Sequence, residues 1–167
     1  MQSNRRLIKK VAEIYDWLDL QLAENPDLAG GCDACGKCCD FENFDHRLFV
    51  TPPEEMYLAA NLGSEDTTSR GSTKLTIKCP YNIDGKCSVY KYRFAGCRIF
   101  YCKGDSATRL ADKKDFQSRL SESALKKFKM ICEESGIAYR YIDLATALNK
   151  IPSNPPTLKL RRARTGG

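Results

Sequence analysis

Eight of the nine cysteines in this 167-residue chain fall between Cys32 and Cys102, and this bunching constrains the fold more than any other feature. The total is odd, so complete disulfide pairing would leave one thiol over. The start of the chain, Met1-Gln2-Ser3-Asn4-Arg5-Arg6, runs into Leu7-Ile8-Lys9-Lys10, which breaks any apolar signal-peptide core. No apolar run approaches the ~18 residues that span a bilayer. The expectation is therefore a cytoplasmic protein without a membrane span, in which clustered thiols bind metal rather than form disulfides. The length suits one domain that buries an ordinary core.

The first cluster is Cys32-x-x-Cys35-x-x-Cys38-Cys39. Two thiolates three residues apart in a turn can face one metal, and a third at the same interval continues the wrap, as in ferredoxin loops. Gly30, Gly31 and Gly36 let the backbone curl and aim amide N–H groups at sulfur. Adjacent side chains point apart in extended backbone. Cys38 and Cys39 thus either serve two centres, or one is a ligand and its neighbour supports it from behind; the plainer alternative is that one of them is simply a buried apolar thiol. The second cluster is Cys79-Pro80, Cys87, Cys97-Arg98 and Cys102, with Cys87 presented by an Asp84-Gly85-Lys86 turn. Lys37, Lys86, Arg98 and Lys103 lie close in sequence to these sulfurs, where cations favour the thiolate, unless they are simply exposed. All eight clustered cysteines are candidate ligands. Cys132, on the apolar stripe of a later helix, is read as a packing residue.

Residues 32–102 resemble the YkgJ-type cysteine-cluster family, described as zinc- or iron-chelating proteins. The matching pieces are the Cys32–Cys39 run, Leu48-x-x-Thr51-x-x-Glu54-Glu55, Cys79-Pro80, Asp84-Gly85-Lys86-Cys87-Ser88-Val89-Tyr90, and Tyr92-Arg93-x-x-x-Cys97-Arg98. They span about 40% of the chain. Phe94 departs from the pattern, which usually has Pro after the Arg; Cys102 and Cys132 lie outside it. Flagellin lysine methylases resemble this family and are held to carry an iron–sulfur cluster, so the resemblance implies iron more than zinc.

The flanks read as helices. Leu7, Val11, Ile14, Leu18 and Leu22 form a stripe from about residue 4 to Asn25-Pro26, with Trp17 packing beside it. Thr51-Pro52-Pro53-Glu54 opens a helix that stops at Gly63. Phe116, Leu120, Ala124, Phe128, Ile131 and Cys132 form a third stripe from near Asp115 to Gly136; Tyr141, Ile142, Ala145 and Leu148 form a fourth. Between them, Leu75-Thr76-Ile77 and Cys87-Ser88-Val89-Tyr90 are the expected hairpin arms, and residues 103–114 a connecting loop. Six aromatic residues from Tyr81 to Tyr101 shield the cluster and fill a small core.

The formal charge is +6, but Lys159, Arg161, Arg162 and Arg164 supply four of those charges with no acid among them. The remaining body is near +2, too weak a field for a dedicated nucleic-acid binder; the basic tail permits nucleic-acid contact without favouring it. His46 is the only histidine, and no phosphate loop or dinucleotide fingerprint occurs.

The expected architecture is mainly α with a small β-hairpin. N- and C-terminal helices clamp a metal-stabilised, irregular cysteine-rich centre. One domain covers residues 1–152 with its motif core at 30–102, followed by a Pro-containing linker and basic, disordered tail at 153–167. The expected function is an iron–sulfur protein, acting with a protein partner in electron transfer or as an accessory in a redox or protein-modification pathway. The alternatives are a Zn²⁺-binding interaction module and a metal-dependent enzyme acting on protein side chains.

Overall fold

Leu7, Val11, Ile14 and Leu18 recur at helical spacing, and the helix they define buries all four. In the computed structural model, which describes residues 2–29, 36–41, 48–62, 79–100, 110–144 and 146–147, this helix is α1 (Gln2–Glu24). It ends where Asn25 turns its side-chain amide back to the Gln21 carbonyl at 2.9 Å, and Pro26 opens the single-turn α2 (Pro26–Ala29). The stripe predicted for the third helix is buried as expected, on α5 (Leu110–Ser135). Gly136, at φ +66°, reverses the chain there. The Gly136 and Ile137 N–H groups cap Glu133 and Cys132, and Ile137 packs back onto the core, so a left-handed glycine satisfies carbonyls the helix leaves open.

Helix α3 (Pro52–Asn61) and the short α4 (Ala95–Ile99) pack against both long helices. Two small antiparallel sheets complete the fold. In one, β1 (Phe49–Val50) pairs with β4 (Ile142–Asp143), Val50 opposite Ile142. In the other, β2 (Asn82–Ile83) pairs with β3 (Lys86–Cys87), Asn82 opposite Cys87. The chain is thus mainly helical with small antiparallel additions, the predicted class.

Apolar side chains sort into two cores. One joins α1 and α5 through Leu18, Leu120 and Phe128, with Ala95 and Ile99 of α4 on its edge. Trp17 packs on its rim beneath the Lys127 ammonium, 4.9 Å away. The second gathers Leu48, Val50, Leu58, Cys79, Tyr81, Val89, Phe94, Leu144 and Ala147, with Cys39, Cys87 and Cys97 packed against it. Helix α4 lies between the two cores, so Cys97 sits where the helical frame meets the cysteine-rich part.

Four local expectations are corrected. Helix α5 begins at Leu110 rather than near Asp115, because Leu-Ala-Asp-Lys-Lys are adequate helix formers that extend it beyond its apolar stripe. The Val89–Tyr90 arm is not a strand; residues Tyr90–Tyr92 make a 3₁₀ turn, and the hairpin is confined to β2 and β3. Its other predicted arm, residues 75–77, lies outside the described residues. Tyr141 and Ile142 do not continue a helical stripe, since β4 pairs with β1 and helical backbone starts only at Leu144, where Asp143 accepts the Thr146 N–H at 2.9 Å. Finally, Cys97 lies in a helix that periodicity did not predict.

Candidate metal centre

The hairpin that carries Cys87 follows from two residues. Asp84 and Gly85 both take positive φ, 49° and 78°, as a two-residue turn matched to strand twist requires. Ser88 then fastens the exit, donating from both its N–H (2.8 Å) and its hydroxyl (3.1 Å) to the Tyr81 carbonyl.

The first cysteine loop docks on this hairpin through Gly36. Its φ is +70°, and its carbonyl accepts the Asn82 side-chain amide at 2.9 Å. A Cβ at this position would fall onto the Gly85 carbonyl oxygen, 2.7 Å from the carbonyl carbon, so only glycine permits the approach. A 3₁₀ turn, Lys37–Cys39, follows, and the Cys39 carbonyl accepts the Cys79 N–H at 2.8 Å. Forty residues apart in sequence, Cys39 and Cys79 are backbone neighbours in space.

The thiols follow the backbone. The Cys38, Cys39 and Cys79 thiols are close enough to act on one another's protons. Cys87 and Cys97 are close enough for their charges to be felt there. The neighbouring Cys39 and burial push the Cys38 thiol far above its ordinary range. For Cys39, Cys38 pulls its pKa down, but Cys79, burial and the neighbouring sulfurs push it up to about 12. Burial, then the charges of Cys39, Cys87 and Cys38, raise Cys97. These are neutral thiols that repel one another when ionised, and a cation among them would reverse that balance.

Five of the eight predicted ligands, Cys38, Cys39, Cys79, Cys87 and Cys97, are therefore brought into one neighbourhood. Cys32, Cys35 and Cys102 lie outside the described residues, as do His46, Lys103 and the tail. Among the described residues, no three His, Cys, Asp or Glu side chains form a group that could hold a metal ion by themselves. The donor chemistry nonetheless suits a soft, thiophilic metal, since every described candidate is a sulfur. Cys132 stands apart, fully buried on α5, with Arg140 and Glu133 rather than other sulfurs as its charged neighbours.

Two residues that sequence reasoning assigned otherwise position this neighbourhood. Glu54 opens α3 as the predicted capping acid, its Oε2 accepting the Thr51 N–H (2.9 Å) and hydroxyl (2.8 Å). Its Oε1 accepts the Ala95 N–H at 2.9 Å and faces the Tyr15 hydroxyl at 3.5 Å, so one buried carboxylate ties α3 and α1 to the start of the Cys97 helix. Burial raises its pKa, and these hydrogen bonds hold it down in part. Arg98 does not neutralise sulfur. It is buried, bound to Asp19 at 2.6 Å and to the Lys91 and Arg93 carbonyls, and stacked 4.3 Å over the Tyr15 ring.

A small cavity of about 30 Å³ reaches Glu54 from the side of Phe49, Gly96, Phe128 and Tyr141. None of the described cysteines lines it. No described helix is long and apolar enough to cross a membrane. Comparisons with protein families, with curated proteins and with solved structures find no match.

Proposed function

We propose that the chain is a thiolate metal protein of the cysteine-cluster kind, with an iron–sulfur cluster as its cofactor and a protein partner in electron transfer or in a redox or protein-modification pathway. One observation carries this reading: chain segments far apart in sequence deliver Cys38, Cys39, Cys79, Cys87 and Cys97 to one place, where Cys38, Cys39 and Cys97 are costly to ionise without a cation. The residues that would hold the metal are these five together with Cys32, Cys35 and Cys102. When bound, a cluster supplies one-electron chemistry. Iron is preferred for the Cys32-x-x-Cys35-x-x-Cys38 spacing and for Cys79-Pro80, both of which resemble ferredoxin loops.

A Cys-only donor set also suits structural zinc, which is the second reading. Anaerobic purification followed by metal and sulfide analysis tests the proposal. A brown protein with matched iron and sulfide, and broad visible absorption lost on oxidation, is expected. A colourless protein with stoichiometric zinc and no sulfide would replace iron with the second reading.

A further inference from the structure

The cavity beside Glu54 has a charged wall that nothing in the fold neutralises. Glu54 is buried, and every group bonded to it is neutral: the Thr51 N–H and hydroxyl, the Ala95 N–H and, at 3.5 Å, the Tyr15 hydroxyl. Among the described residues, no lysine or arginine pairs with it. Arg98, which stacks on the same Tyr15 ring, spends its guanidinium on Asp19 and two backbone carbonyls. A buried carboxylate without a counter-ion is unfavourable, so it either takes a proton or meets a cation. Its Oε1 makes one short hydrogen bond and one long one, and can still accept from a stronger donor.

The remaining walls are mostly aromatic and aliphatic. Phe49 and Tyr141 are both exposed, and their rings lie 5.2 Å apart between centroids, tilted by 34°, so they form an aromatic edge where the cavity meets the surface. Ile99, Leu125 and Phe128 line the inside, together with the small Ser121. Exposed ring faces beside a buried carboxylate are the surroundings that attract an ammonium group. The volume of about 30 Å³ holds about two non-hydrogen atoms, at roughly 10–15 Å³ each. We infer that this cavity is a site for the CH₂–NH₃⁺ end of a small primary amine, the ammonium donating to Glu54 and the methylene lying against the apolar wall. A bare ammonium ion would leave that wall uncovered, and a quaternary ammonium is too bulky to enter. None of the described cysteines lines the cavity, so this site stands or falls separately from the proposed metal centre.

Methylammonium chloride is the probe, compared at equal ionic strength with the sodium, ammonium and tetramethylammonium salts. A ligand of so few atoms binds at about millimolar Kd at best, so the titration runs through the millimolar range and above. Two readouts on the full-length protein are saturation transfer from protein to the methyl protons and urea unfolding. At about ten times Kd, methylammonium should raise the folding equilibrium constant about tenfold over sodium. Ammonium should give a smaller gain, and tetramethylammonium none. Glu54→Gln should abolish the gain. Because that change also disturbs the bonds to Thr51 and Ala95, Ser121→Leu is the second variant; it fills the cavity, leaves Glu54 in place, and should abolish the gain as well. Methylammonium that acts no differently from sodium on the wild-type protein would overturn the inference and leave the cavity to water. An undiminished gain in Ser121→Leu would overturn it by moving the cation elsewhere. Tetramethylammonium as effective as methylammonium would do so by assigning the effect to the exposed rings, and ammonium as effective would do so by removing the part played by the methylene.

Discussion

Replacing Gly36 with alanine puts the docking of the first cysteine loop to a quantitative test. The residue sits at φ +70°, where an L side chain costs about 1–2 kcal/mol. The added methyl would also overlap the Gly85 carbonyl and lie 2.9 Å from Asn82 Nδ2. A backbone carbonyl cannot rotate away as a side chain can, so the loop must lift from the hairpin. Lifting forfeits the Asn82 bond to Gly36 and strains the Cys79 bond to Cys39, each contributing about 1 kcal/mol. The sum is about 3–4 kcal/mol, a large share of the ~5–15 kcal/mol that stabilises a typical domain. Gly136→Ala is the matched control. Its φ is +66°, nothing lies within 4 Å of the added methyl, and only the backbone term of about 1–2 kcal/mol applies. Urea unfolding of the metal-free proteins measures the difference, and metal per chain measures its consequence at the thiols. Equal losses in the two variants would refute the docking argument, since the overlap with Gly85 would then contribute nothing.

Cys132→Ala should leave metal content unchanged and cost about 1 kcal/mol in thermal or urea unfolding, because the thiol serves as a small apolar side chain; metal loss in this variant would move the site. Glu54→Ala strands the Ala95 and Thr51 N–H groups and should cost about 2–4 kcal/mol while loosening Cys97, which faster alkylation of that thiol would report. Metal-free protein should lose stability in alkali. Cys38, Cys39 and Cys97 are all raised in the fold, so the unfolded chain gives up thiol protons above about pH 9 while the folded chain retains them. Stability is therefore full below about pH 9. It falls as pH rises toward about 12, by about 1.4 kcal/mol per pH unit per thiol. Urea midpoints that stay level between about pH 8 and pH 10.5 would contradict this.

The helical frame was legible because its signals are local. The stripe from Leu7 to Leu18 and the one from Phe116 to Ile131 state which face is buried, and both faces are. Thr51-Pro52-Pro53-Glu54 states where α3 begins, and it begins there. The errors arise where the deciding partner is remote. Tyr141-Ile142 has helical spacing, yet Phe49–Val50 offers it a strand nearly a hundred residues away. Helix α4 has only five residues, too few for any period, and it is anchored by the Glu54 carboxylate from α3. At the candidate site, cysteine spacing indicated which residues to consider. The charges around them were misread: Arg98 looked like a companion to Cys97 and instead ties the frame to Asp19. Phe94, out of pattern in sequence, takes φ −62°, the angle a proline ring would fix, and fills the second core.

The pairing of β1 with β4 also sets an order of events in biosynthesis. The second core, against which Cys39, Cys87 and Cys97 pack, is closed by Ile142, Leu144 and Ala147, with the Leu144 N–H donating to the Leu48 carbonyl at 2.7 Å. A ribosome therefore makes Cys39, Cys87 and Cys97 at least 45 residues before it makes Ile142, the first residue of the segment that closes this core. At about 5–20 residues per second, this leaves the nascent thiols uncovered for roughly 2–9 s. During that interval they are accessible to a metal donor, and equally to an oxidant. The yield of intact protein then depends on which arrives first, so the cell's metal supply and redox state during translation bear on this chain as much as the stability of its finished fold.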